Sequence, residues 1–126
     1  MAKKKSPAEP EGLLLARQCV AAAEDKKALD PVILDLRAVS TITDYLVICS
    51  AQSEPQIKAI AGGVEQALKE TVGRRPFAVD GFPTSQWIVI DYGEVMLHIF
   101  HEQKRPVYAL EDLWSDAPQV STLPPK

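Results

Sequence analysis

His98, His101 and Glu102 are the first residues in this chain to invite chemistry, because imidazoles and carboxylates together make metal sites. Side chains three apart on a strand leave on opposite faces, however, so the two imidazoles do not converge on one ion. Nor is HEQKR the HExxH spacing that pairs two histidines on a helix. Nucleophiles fare no better. Cys49 sits among apolar neighbours with no activating cation in sequence, Ser53 reads as a helix cap, and neither these nor Ser50 lies in a G-x-S-x-G elbow. Metal-dependent phosphoryl transfer uses paired carboxylates, commonly Asp-x-Asp on a strand. Here the pattern is Asp35-x-Arg37, a base in place of the second acid, while Asp80, Asp91 and Glu94 stand apart. There is neither a P-loop nor a G-x-G-x-x-G. No catalytic residue, metal or cofactor is expected, and the chain reads as a non-enzyme.

What remains is a surface. Residues 85–100, SQWIVIDYGEVMLHIF, hold two apolar runs around Asp91-Tyr92-Gly93-Glu94, a hairpin signal. A two-residue loop at Tyr92-Gly93 sets Asp91 against Glu94, Ile90 against Val95, Ile88 against Leu97 and Trp87 against His98. One side is then aliphatic core: Ile88, Ile90, Val95, Leu97 and Ile99. The other carries Trp87, Val89, Asp91, Glu94, Met96 and His98, which suits a partner better than a second core. A three-residue loop ending on Gly93 would shift the pairing by one and move Trp87 to the core side. The first register is preferred because it gathers the aliphatics, although Tyr is not the usual residue at its first turn position.

The elements that position this hairpin follow from periodicity. Residues 1–10 combine Lys3-Lys4-Lys5 with Pro and small residues and are expected to be a disordered tail; residues 115–126, with three prolines, are expected to fray. Between them, 11–114 read as one domain. Ala- and Leu-rich residues 11–27 form a helix with Leu15, Cys19 and Ala22/Ala23 on one face, ended by Asp30-Pro31. Residues 32–36 and 45–50 are short buried strands. Ser53 caps a second helix, with Gln56 completing a capping box, Ile57, Ile60, Ala61, Val64, Leu68 and Val72 as its stripe, and Gly73 as its C-cap. Gly62-Gly63 inside it imply close approach of a neighbouring element. Residues 77–80 are a third strand, reached by a right-handed parallel crossover, and 81–85 a loop. Pro106 opens a short helix with Leu110, Leu113 and Trp114 on one face. The order α-β-β-α-β-β-β-α predicts an α/β fold: a mixed sheet of about five strands with flanking helices.

Composition narrows the partner. The chain has 126 residues and a formal net charge of -3, and residues 12–114 hold 10 Lys/Arg against 14 Asp/Glu. So acidic a body is poorly suited to phosphate backbones, which leaves an RNA-binding module disfavoured and a basic protein partner favoured. No apolar run is long enough to span a bilayer, and the lysines are not followed by a secretory apolar segment. With Cys19 and Cys49 both in apolar patterns, buried thiols and a cytoplasmic location are expected.

Three segments resemble the ribosomal silencing factor family, also called Iojap-like: VILDLRAVSTITDYLVICSAQSEPQIKAIAGGVEQALKE, WIVIDYGEVMLHIF and VYALEDLWSDA. The resemblance runs from about Leu13 to Ala117. Departures are small: Glu94 where Asp is commoner, Thr84-Ser85 in place of a Gly-containing approach to Trp87, and Pro106 at the last helix. It implies a nucleotidyltransferase-like topology without that activity, in keeping with the missing Asp-x-Asp pair. It also implies binding to the large ribosomal subunit through the basic ribosomal protein uL14, obstruction of small-subunit joining, and repressed translation when nutrients are scarce. A homodimer is the second partner it suggests, and RNA contact is at most peripheral. On this reading Trp87 and Met96 are apolar contacts and Asp91 and Glu94 meet Lys or Arg, with Asp44, Tyr45, Tyr92 and His98 as further candidates. The alternative is a nucleotidyl- or phosphoryl-transfer enzyme on the same scaffold.

Overall fold

The computed structural model describes residues 10–81 and 86–123; of the expected tail at 1–10 all but Pro10, which caps the first helix, lie outside the described residues, as does most of the expected loop at 81–85. Helix α1 (Glu11–Asp25) and helix α2 (Glu54–Val72) are the two long helices. The strands are β1 (Leu29–Asp35), β2 (Tyr45–Ala51), β3 (Ala78–Gly81), β4 (Trp87–Asp91), β5 (Val95–His101) and β6 (Gln119–Val120), with single-turn helices α3 (Arg105–Tyr108) and α4 (Leu110–Leu113) between the last two. They make one mixed sheet in the order β3-β4-β5-β2-β1-β6. The α/β class is as expected, but the sheet has six strands rather than about five.

Alternation sorts the strands into two layers. Ile33, Tyr45, Val47, Cys49, Ile90, Val95, Leu97 and Ile99 face α1 and α2 in the larger core. Leu34, Leu36, Leu46, Ile48 and Phe100 face the other way, into a smaller core with Ala117, closed by Val39, Leu110 and Trp114. The crossover through α2 does return parallel to β2, but β3 lands at the far edge, with β5 and β4 in between.

Several expectations need correction. The hairpin loop is Gly93-Glu94, not Tyr92-Gly93: Tyr92 N–H donates to Val95 O at 2.8 Å, and Trp87 pairs with Phe100 and Ile90 with Leu97. Gly93, at φ +91°, takes the first turn position, where two-residue loops need positive φ. Tyr92 is left free to bury its ring completely. The slip is two residues, so the strand residues keep their expected faces, but Glu94 leaves the outward face for the turn. Strand β1 starts early, at Leu29, and carries Asp30-Pro31 through an irregular register; Pro31 lies where β6 does not reach, so its missing N–H breaks no ladder. Strand β6 comes from the stretch expected to fray, and Asp35 N–H donates to Pro118 O at 2.9 Å. The last helix is broken by Ala109 in the left-handed region, which turns Leu113 outward to 67% exposure while Leu110 and Trp114 pack.

Helix α2 keeps its expected caps. Ser53 Oγ accepts from Gln56 N–H at 3.2 Å, but Gln56 reaches back to Gln52 N–H rather than to the cap itself, and its Nε2 donates to Lys26 O and Lys27 O, tying α2 to the end of α1. The stripe is buried through Leu68, whereas Val72 is 39% exposed. Of the two internal glycines, only Gly63 meets a close neighbour, the Lys26 side chain; Gly62 faces open space. Gly73 closes the helix at φ +68°, its N–H donating to Lys69 O and that of Arg74 to Leu68 O. Nothing lies near a Cβ added at Gly73, so Gly73→Ala should cost only the left-handed backbone strain, about 1 kcal/mol. Urea unfolding should show that loss with an unchanged slope on denaturant.

Candidate docking face

Both long helices pack on one side of the sheet, so the other side depends for its cover on Val39 and on residues after β5. That cover reaches the β5-β2-β1 half. By register, Trp87, Val89 and Asp91 of β4 and Ala78 and Asp80 of β3 look out on the remaining half, beside Met96 of β5. Trp87, Val89, Asp91 and Met96 are half-buried, and Ala78 and Asp80 are exposed.

Trp87 is the most constrained of these. Its Nε1–H donates to His98 Nδ1 at 3.1 Å, and its ring stacks on Phe100 with centroids 4.8 Å apart. Tyr108 approaches it from α3 at 4.6 Å. His98 is buried and acts as the acceptor, so it is neutral; burial pushes its pKa down to about 4. It supports the face from beneath. Asp91 directly opposes Met96, and its Oδ1 accepts from Gly93 N–H at 2.8 Å, which aims the carboxylate at the hairpin tip.

Other candidates lie elsewhere. Tyr45 and Tyr92 are buried in the helix-side core and cannot meet a partner unless that layer opens. Glu94 is engaged within the chain: Arg74 donates to both its oxygens, at 2.7 and 3.1 Å, and to Tyr92 O at 2.9 Å. The guanidinium holds the Glu94 carboxyl below the usual carboxylate range. Asp44 is exposed, with its N–H donating to Glu94 O at 3.1 Å. Sequence reasoning missed Phe100, Tyr108 and Asp80 as members or neighbours of the face. Phe100 was reachable, since it shares the parity of Met96 and His98; Tyr108 had no local signal.

The groups that invited catalysis have structural partners. Arg37 grips Asp35 through Nε and Nη2 at 2.9 and 2.8 Å and holds its carboxyl low. Ser50 Oγ accepts from Arg105 and Ser53 caps α2. Cys19 and Cys49 are free, buried thiols, each pushed by burial up to about 12. Among the described residues no three His, Cys, Asp or Glu side chains gather as a metal set, and no helix is long and apolar enough to cross a membrane.

The profile of the family described as "Ribosomal silencing factor during starvation" matches residues 7–126. This chain belongs to the ribosomal silencing factor family. Ribosomal silencing factor RsfS of Bacillus subtilis is 39% identical over 98 residues, 78% of this chain and 82% of that protein. The chloroplastic protein Iojap of Arabidopsis thaliana is 30% identical over 112 residues, 89% of this chain but 46% of the longer plant protein. A crystal structure from Chromobacterium violaceum superposes with a TM-score of 0.78 at 28% identity, covering 84% of this chain and 88% of that one. One from Bacillus halodurans gives 0.74 at 35% identity, covering 86% and 97%. A regulatory rather than catalytic role accompanies the name of this silencing factor family.

Neutral His98 gives the face a pH signature. Its folded pKa lies below the ordinary 6.5, so the unfolded chain takes up the proton first as pH falls. Its stabilising contribution is complete above about pH 6.5 and is lost progressively down to about pH 4, roughly 2 kcal/mol being gone by pH 5. His98→Gln, which retains an acceptor for the indole, should flatten that part of the curve when unfolding midpoints are compared between pH 7 and pH 5.

Proposed function

We propose that this chain represses translation by occupying the large ribosomal subunit, with no bond made or broken by its own side chains. The half-covered face carries the reading: an apolar centre of Trp87, Val89 and Met96 bordered by the Asp80 and Asp91 carboxylates. Binding energy concentrates in partly buried aromatic anchors, while carboxylates at the rim speed encounter with a basic surface. A basic ribosomal protein, uL14, meets that description, and a factor seated there obstructs the small subunit and limits joining under nutrient limitation. The protein acts in the cytoplasm, and self-association into a homodimer competes with docking. Glu94 is withdrawn from the contact set, because Arg74 already neutralises it.

The test is co-sedimentation of the Trp87→Ala/Asp91→Ala double variant with purified large subunits, with isolated uL14 as competitor. Loss of an aromatic anchor should weaken binding by roughly 30-fold or more, with far-UV dichroism unchanged. Normal co-sedimentation of the double variant, or failure of uL14 to compete, overturns the assignment.

A further inference from the structure

The start of the cover over the smaller core is fastened to the sheet by one side chain, Arg105. Arg105, with its side chain only 12% exposed, donates to Ser50 Oγ at 2.9 Å, to Leu29 O at 3.4 Å, and to the two Glu111 carboxylate oxygens at 3.2 and 3.0 Å. These partners lie on β2, β1 and α4, so a single guanidinium links the segment to two neighbouring strands and to itself. Three residues on, the α3 turn delivers Tyr108. Val107 and Tyr108 N–H both donate to Lys104 O, Ala109 N–H donates to Arg105 O, and Ala109 at φ +49° ends the turn. A turn so closed moves as a body, and its fixed end is Arg105.

Tyr108 is 45% exposed, and its packed side rests on Trp87 at 4.6 Å and Phe100 at 5.7 Å. The indole thus has Phe100 behind it, His98 at its nitrogen and Tyr108 alongside. The first two belong to the strand ladder. Of these three described neighbours, Tyr108 is the one from a segment held in place by a side-chain anchor. We infer that Arg105 is a positioning residue for the docking face: by fastening the α3 turn it holds Tyr108 against Trp87 and so sets the orientation of the indole presented to a partner. The inference rests on the docking role proposed above for Trp87.

The test uses full-length protein labelled with 5-fluorotryptophan, whose two ¹⁹F resonances report Trp87 and Trp114 and are assigned with Trp87→Phe. Arg105→Met, Glu111→Gln and Tyr108→Ala should each move the Trp87 resonance, and Tyr108→Phe should not. Loss of one aromatic contact corresponds to a roughly two- to tenfold weaker binding of large subunits. In the Tyr108→Ala background, Arg105→Met and Glu111→Gln should add nothing to either readout, which a merely structural anchor would not obey. An unmoved Trp87 resonance in Arg105→Met and Glu111→Gln, or an undiminished effect of either in the Tyr108→Ala background, overturns the inference. A moved resonance with unchanged binding supports the positioning link and overturns the docking role of Trp87 instead.

Discussion

Seven consecutive parallel pairs, from Tyr45 opposite Val95 to Ala51 opposite His101, join β2 to β5, and every residue of β2 is buried. Parallel strands need cover on both faces, which is why both read as nearly unbroken apolar runs. Their alternate side chains supply both layers: Tyr45, Val47 and Cys49 for the helices, Leu46, Ile48 and Phe100 for the opposite core. The ladder is clamped where the hairpin turns. Glu94 O accepts from Asp44 N–H and Tyr45 N–H, and Thr43 Oγ1 donates to Gly93 O at 2.9 Å. Position along β2 therefore sets position along the hairpin, and with it the placement of Trp87.

The two layers are unequal, and the inequality makes the site. On one side α1 and α2 deliver two long apolar stripes and seal the sheet. On the other, two single turns with Val39 and Ala117 cover only the half nearest β1. The residues at the boundary, Trp87 and Met96, touch the smaller core without being enclosed by it. A half-enclosed indole with a saturated nitrogen offers a stiff, largely apolar surface, which costs little conformational entropy to present.

Most of this was legible in the sequence where a residue type answered to one physical requirement. The stripe of α2, its serine cap and its left-handed glycine were readable because each has a single structural meaning. The face of each hairpin strand residue was readable too, because side-chain parity survives a slip of two; Glu94, moved into the turn, was the exception. The register itself was not, since it depended on Tyr92 finding room between the helices, a matter of tertiary packing. Strand β6 was invisible because two residues carry no period; it exists because β1 had an open edge. Glu94 looked like a free acid for want of its partner, Arg74, which lies twenty residues away and meets it only through the turn after α2. Tyr108 and Arg105 were missed for the same reason: their importance lies in contacts that local pattern does not encode.

The sealed thiols have a practical corollary. Cys19 and Cys49 lie inside the helix-side layer with almost no thiolate at neutral pH, so alkylating reagents and mild oxidants have nothing to attack while the domain stays folded. A cysteine engineered onto the outer surface of α2 would therefore take up a maleimide fluorophore alone, in the otherwise natural chain. The same property makes slow modification of the native pair a clock for transient opening of the helical layer.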